Sequence, residues 1–119
     1  MKLLLQNLPP SLHDHRETLR RCFETMHAAL PIQQVILFGS HARGEARADS
    51  DIDLCLVAEG AESQLKAAQQ WREAMRPLRP LPAFTLMPIT PQRLDEKRAA
   101  GDYFFQTVLT EGVPLAAQD

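Results

Sequence analysis

Apolar residues near the start of the chain recur at helical spacing. Leu12, Leu19, Cys22, Phe23, Met26 and Leu30 fall on one face, between Pro9-Pro10-Ser11 and Pro31. This spacing predicts an amphipathic helix, with Ser11 as its cap and Asp14 as the reciprocal partner three residues on. The pattern then shortens. Gln34–Phe38, "QVILF", is β-branched and apolar and stops at Gly39, which predicts a buried strand. Residues 40–46 read as a short helix, "ARADS" as a loop, and residues 51–57, "DIDLCLV", as a second strand.

"EGAES", residues 59–63, turns the chain, and Ser63 caps a helix with Leu65, Ala68, Trp71 and Met75 on one side. "RPLRPLP" ends that helix. "AFTLMPI", residues 83–89, predicts a third strand, with Pro88 near its end or at a sheet edge. Thr90-Pro91 has the cap-then-proline form of a helix start. The helix runs to about Ala100 and stops at Gly101. Asp102 caps a last helix carrying Tyr103, Phe104, Phe105, Val108 and Leu109; Gly112 ends it, and "VPLA" adds a short strand. Leu3 to Leu5 form either an added strand or a contact arm. The order α-β-α-β-α-β-α-α predicts an α/β (α+β) fold, a small mixed sheet flanked by helices, in one domain over residues 1–119.

Composition narrows the function classes. A chain of 119 residues that is 45% apolar can fill a core. A formal net charge of -2 argues against a general nucleic-acid binder, which presents a basic face. Ten of the thirteen basic residues are Arg, the better bidentate partner for phosphate and carboxylate. Cys22 and Cys55 are far apart and in no metal-ligand spacing, so no disulfide framework is expected. "MKLLLQNLPP" is too short and broken for a secretory segment, and no stretch reaches spanning length, so the expected compartment is the cytoplasm.

The chemistry concentrates in residues 37–57, "LFGSHARGEARADSDIDLCLV". Alternation along a strand places Asp51, Asp53, Cys55 and Val57 on one face and Ile52, Leu54 and Leu56 on the other, toward the main core. The two carboxylates then stand roughly 6–7 Å apart at Cβ, from the ~3.3 Å rise per residue. Buried and unpaired, such neighbours repel, and one is driven to keep its proton. A hard divalent cation removes that conflict: Mg²⁺ takes one or two carboxylates plus phosphate oxygens and water. Gly39 ends a strand where Ser40 opens a helix; a glycine there lets a phosphate approach, and a helix start offers N–H groups to an anion. Ser40 adds a hydroxyl, and Arg43 either reaches a phosphate or pairs with an acid such as Glu45 or Asp49.

The pattern Gly39-Ser40-His41-Ala42-Arg43-Gly44, followed by Ser50-Asp51-Ile52-Asp53-Leu54, resembles the minimal nucleotidyltransferases of the DNA polymerase beta superfamily. The leading helix and the terminal "EGVPL" are similar as well. The resemblance implies the polymerase beta-type nucleotidyltransferase fold and Mg²⁺-dependent transfer of a nucleoside monophosphate from a nucleoside triphosphate (NTP). It implies Asp51 and Asp53 as catalytic metal ligands, and Gly39, Ser40, Arg43 and Ser50 as nucleotide-binding residues. It also implies a helical HEPN-type toxin as partner, neutralised by binding or by adenylylation. Members of the family carry a third carboxylate on the next core strand. Here that position falls at Phe84 or Thr85, and no acid lies in "AFTLMPIT". A catalytically degenerate, nucleotide- or protein-binding antitoxin subunit is therefore the alternative.

Other polar groups carry blander expectations. His41, His13, His15 and His27 are expected at the surface, Cys55 as a small packed side chain and Trp71 in the core. Phe104 and Phe105 are adjacent, so either one faces a partner subunit in a homo- or hetero-oligomer or both are absorbed by the core.

Overall fold

The computed structural model describes all residues, 1–119. In chain order the elements are β1 (Lys2–Leu3), α1 (Arg16–Ala29), β2 (Gln34–Phe38), α2 (Gly39–Arg43), β3 (Ile52–Val57), α3 (Gln64–Met75), β4 (Phe84–Ile89), α4 (Pro91–Ala99), α5 (Tyr103–Glu111) and β5 (Val113–Ala117). The strands form one sheet in the order β1-β5-β2-β3-β4. β3 and β4 are parallel and the other pairs are antiparallel. The parallel pair needs a long crossover, and α3 supplies it.

Alternation sorts the strands between two cores. Val35, Leu37, Ile52, Leu54, Leu56 and Leu115 point to the face covered by α1 and α3, in a cluster of 21 buried residues. Ile36, Cys55, Val57 and Ile89 point to the opposite face, beneath α4 and α5, in a cluster of 7. The division along β3 is the one the sequence pattern predicts. Trp71 is fully buried, and its indole N–H donates to the Leu30 carbonyl at 3.1 Å. Gln70 donates to the Ala29 carbonyl at 2.9 Å, so α3 satisfies carbonyls that the end of α1 leaves open.

Three of the predicted caps are formed: Ser63, Thr90 and Asp102 accept from the N–H groups of Lys66, Arg93 and Phe105. Ser11 is a correction. Residues Pro10–His15 wind as a 3-10 turn, α1 begins only at Arg16, and the Ser11 hydroxyl is engaged by His41. The short helix ends at Arg43, because Gly44 closes it in the left-handed region at φ 74°. Leu65 is 70% exposed. α3 turns Ala67, Trp71 and Met75 inward, and Leu65 lies about 200° around the helix from Ala67 at ~100° per residue.

The last strand is interior, since β5 pairs with both β1 and β2. Its register shifts between Val35 and Ile36, beside Pro114, which has no N–H to give the ladder. Of the Leu3–Leu5 segment, only Leu3 joins a strand; Leu5 begins a 3-10 turn. Pro88 lies inside β4, an edge strand. No helix is long and apolar enough to cross a membrane.

Candidate functional site

The end of β2 and the starts of β3 and β4 meet on the sheet face that carries the smaller core. Asp53 opposes Phe38 across the β2–β3 ladder and Thr85 across the β3–β4 ladder. Asp51 precedes β3, and its Oδ2 accepts a hydrogen bond from the Thr85 hydroxyl at 3.2 Å. Asp51, Asp53 and Thr85 therefore converge. Of the two positions the sequence leaves for a third carboxylate, only Thr85 faces the pair, because Phe84 turns into the main core at 9% exposure.

The expectation of two buried like charges is corrected. Asp51 is exposed and Asp53 half-buried. Water reaches and screens the pair, and the Thr85 hydroxyl orients the Asp51 carboxylate.

Gly39 belongs to this arrangement by contact as well as by sequence. Its φ is +77°, and a Cβ there would lie 2.0 Å from Asp53 Oδ2. The absent side chain is what leaves room for the Asp53 carboxylate over the strand-to-helix turn. The donors gathered here are hard oxygens: two carboxylates and a hydroxyl. They fit a cation that takes one or two carboxylates and completes its shell with phosphate and water. They do not form a closed protein cage, since no three His, Cys, Asp or Glu side chains cluster for a metal.

A cleft of about 350 Å³ opens on this site, with Gly39, Ser40, Arg43 and Asp53 on one side and Phe104 and Glu111 of α5 on the other. Arg43 lines it while pairing with Glu45 at 3.3 Å. Ser50 lies elsewhere. Its hydroxyl accepts the Arg47 N–H at 2.8 Å, closing the loop before Asp51, and it lines a separate hollow with His41 and Ser11.

His41 overturns the expectation of a surface histidine. It is 6% exposed, and its Nδ1 hydrogen-bonds the Ser11 hydroxyl at 2.8 Å, tying α2 to the segment before α1. His27 is also half-buried, its Nδ1 accepting the Ile32 N–H. Cys55 is fully buried, and burial pushes its thiol up to about 12, so it is packed and unreactive. The α5 wall was missed because the sequence signal there, two adjacent phenylalanines, does not say which one turns outward. The structure buries Phe105 and leaves Phe104 at 49% exposure.

Residues 16–102 match the nucleotidyltransferase domain family. The protein adenylyltransferase MntA of Thermococcus cleftensis is 33% identical over 79 residues, spanning 65% of this chain and 73% of that protein. A crystal structure from Sulfolobus solfataricus, provisionally named a nucleotidyltransferase, superposes with a TM-score of 0.52 over 67% of this chain and 70% of that one. At 20% identity, that likeness is one of fold.

Proposed function

This chain belongs to the nucleotidyltransferase domain family, and on that premise we propose that it binds a magnesium–NTP complex and transfers a nucleoside monophosphate, AMP, to a partner protein. The reading rests on the Asp51–Asp53 pair with the Asp53 carboxylate seated over Gly39. Asp51 and Asp53 hold the cation. The Gly39-Ser40 turn holds the phosphates, with Arg43 at their edge. A cation held there would supply Lewis-acid polarisation of the α-phosphate and charge neutralisation at the leaving pyrophosphate. An acceptor hydroxyl oxygen bonds to the α-phosphorus, the bond to pyrophosphate breaks, and the hydroxyl proton passes to solvent or to a base on the acceptor. Thr85 keeps Asp51 oriented and is no base. Adenylyl as the transferred group is supported by the name of the Thermococcus relative. A helical HEPN-type toxin as acceptor is supported by the motif resemblance alone.

Thr85 in register with Asp53 favours a second reading, in which the chain binds nucleotide and partner without turnover. A general base contributes ~10²–10⁴-fold in rate, so its loss leaves either slow transfer or none. Incubation with α-labelled ATP, Mg²⁺ and the partner separates the two. Transfer predicts label in the partner, lost in the Asp51→Asn, Asp53→Asn double variant. An unlabelled partner in an intact complex rejects transfer. A double variant that still neutralises the partner supports the binding subunit.

A further inference from the structure

The far wall of the cleft comes from α5, which follows the family-matched residues 16–102. Phe104, Thr107 and Glu111 recur at helical spacing and share one face, while Phe105 and Val108 enter the smaller core. Phe104 is held in place: Phe38 and Phe105 meet it nearly perpendicularly, with ring centroids 6.0 and 5.3 Å away. It nonetheless keeps 49% of its surface open at a cleft whose other side is polar. The Thr107 hydroxyl is engaged, donating to the Tyr103 carbonyl at 3.0 Å. Glu111 is exposed on the same face, and its carboxylate accepts hydrogen bonds but donates none. A fixed aromatic surface beside an acceptor-only group, across from a phosphate-sized turn, fits a flat heterocycle bearing an amine.

We propose that the α5 wall is the nucleobase subsite. Phe104 stacks on the base, and Glu111 accepts a hydrogen bond from its exocyclic amine. The proposal rests on the reading of Gly39, Ser40 and the aspartate pair as the triphosphate end of the same cleft. It commits to a substrate class: amine-bearing bases such as adenine are favoured over uracil, which presents carbonyls in place of the amine.

Calorimetry with Mg·ATP, Mg·UTP and Mg·tripolyphosphate tests it on the wild type and on Phe104→Ala, Phe104→Trp and Glu111→Gln. Loss of one stacked base weakens binding about 5- to 150-fold. Phe104→Ala is expected to lose that much for ATP and nothing for tripolyphosphate, while Phe104→Trp retains ATP. Glu111→Gln narrows the preference for ATP over UTP. ATP binding unchanged in Phe104→Ala overturns the subsite. An equal loss for ATP and tripolyphosphate overturns it too, because the ring then only shapes the cleft. An unchanged ATP-to-UTP ratio in Glu111→Gln overturns the role of that carboxylate. If the wild type binds neither ATP nor tripolyphosphate, the phosphate site itself is wrong, and this proposal falls with it.

Discussion

At the scale of single residues, two glycines separate backbone strain from steric exclusion. Gly39 and Gly44 share nearly the same positive φ, 77° and 74°, but a Cβ at Gly39 strikes Asp53 Oδ2 whereas one at Gly44 meets nothing within 4 Å. Each alanine substitution carries the left-handed penalty of about 1–2 kcal/mol. Only Gly39→Ala also displaces the carboxylate. Thermal melts should therefore show a loss in both variants, larger in Gly39→Ala, and Mg·ATP titrations should show binding lost in Gly39→Ala and kept in Gly44→Ala. Equal binding by the two would mean that Asp53 relocates without consequence. Thr85 gives the complementary test. Thr85→Asp adds a carboxylate beside Asp53, in register across the ladder. Three like charges should lower the melting temperature without metal, and added Mg²⁺ should restore it. If the missing base limits turnover, labelling of the acceptor should rise by ~10²–10⁴-fold. A melting temperature indifferent to Mg²⁺ would show that the three side chains do not share a cation.

Among the elements, α3 locks the larger core, and its burial pattern makes a contrast of two substitutions. Trp71→Ala removes a fully buried ring and the donor to Leu30. It should cost about 3–5 kcal/mol in urea denaturation. Leu65→Gln, on the exposed side of the same helix, should stay within about 0.5 kcal/mol. A comparable loss at both positions would mean that Leu65 is covered in solution. The same helix shows how far sequence reading reaches. Trp71 and Met75 were legible as buried from spacing, and Ser63, Thr90 and Asp102 as caps from local chemistry. Leu65 was not, because hydropathy alone cannot say where a helix's buried stripe begins. Ser11 and His41 misled for a related reason. Each looks like an ordinary cap or surface residue until the fold brings them together across 30 positions. The aspartate pair and the Gly39 turn were legible because their chemistry is local. The α5 wall is a long-range juxtaposition that leaves no spacing to read.

For the molecule as a whole, the site lies on the thinner side. The sheet separates a buried cluster of 21 residues from one of 7, and the cleft is walled by α5 on the smaller side. One cysteine reports on each: Cys22 in the larger cluster and Cys55 in the smaller. Burial raises both thiols from the ordinary 9.0, Cys22 to about 11 and Cys55 to about 12. Because the folded values lie above the unfolded one, the stabilisation is fully present below pH 9.0 and is lost as the pH climbs toward about 12. Cys55→Ala should make urea stability fall less steeply over that window, by up to about 1.4 kcal/mol per pH unit. The same thiols measure how the two layers open. Small buried clusters open at lower cost than the global transition. The α4–α5 layer should therefore admit a thiol reagent to Cys55 while Cys22 stays closed. We expect Cys55 to be labelled at least about tenfold faster in the absence of denaturant, a gap of ~1.4 kcal/mol in opening. The rates should converge as denaturant brings global unfolding into reach. On the proposed reading Mg·ATP spans the aspartate pair and the α5 wall, so it should slow Cys55 and leave Cys22 nearly unchanged. Equal rates at every denaturant concentration would make the two layers one cooperative unit. Equal protection of both thiols by nucleotide would place the ligand's restraint on the whole fold rather than on the layer that carries its site.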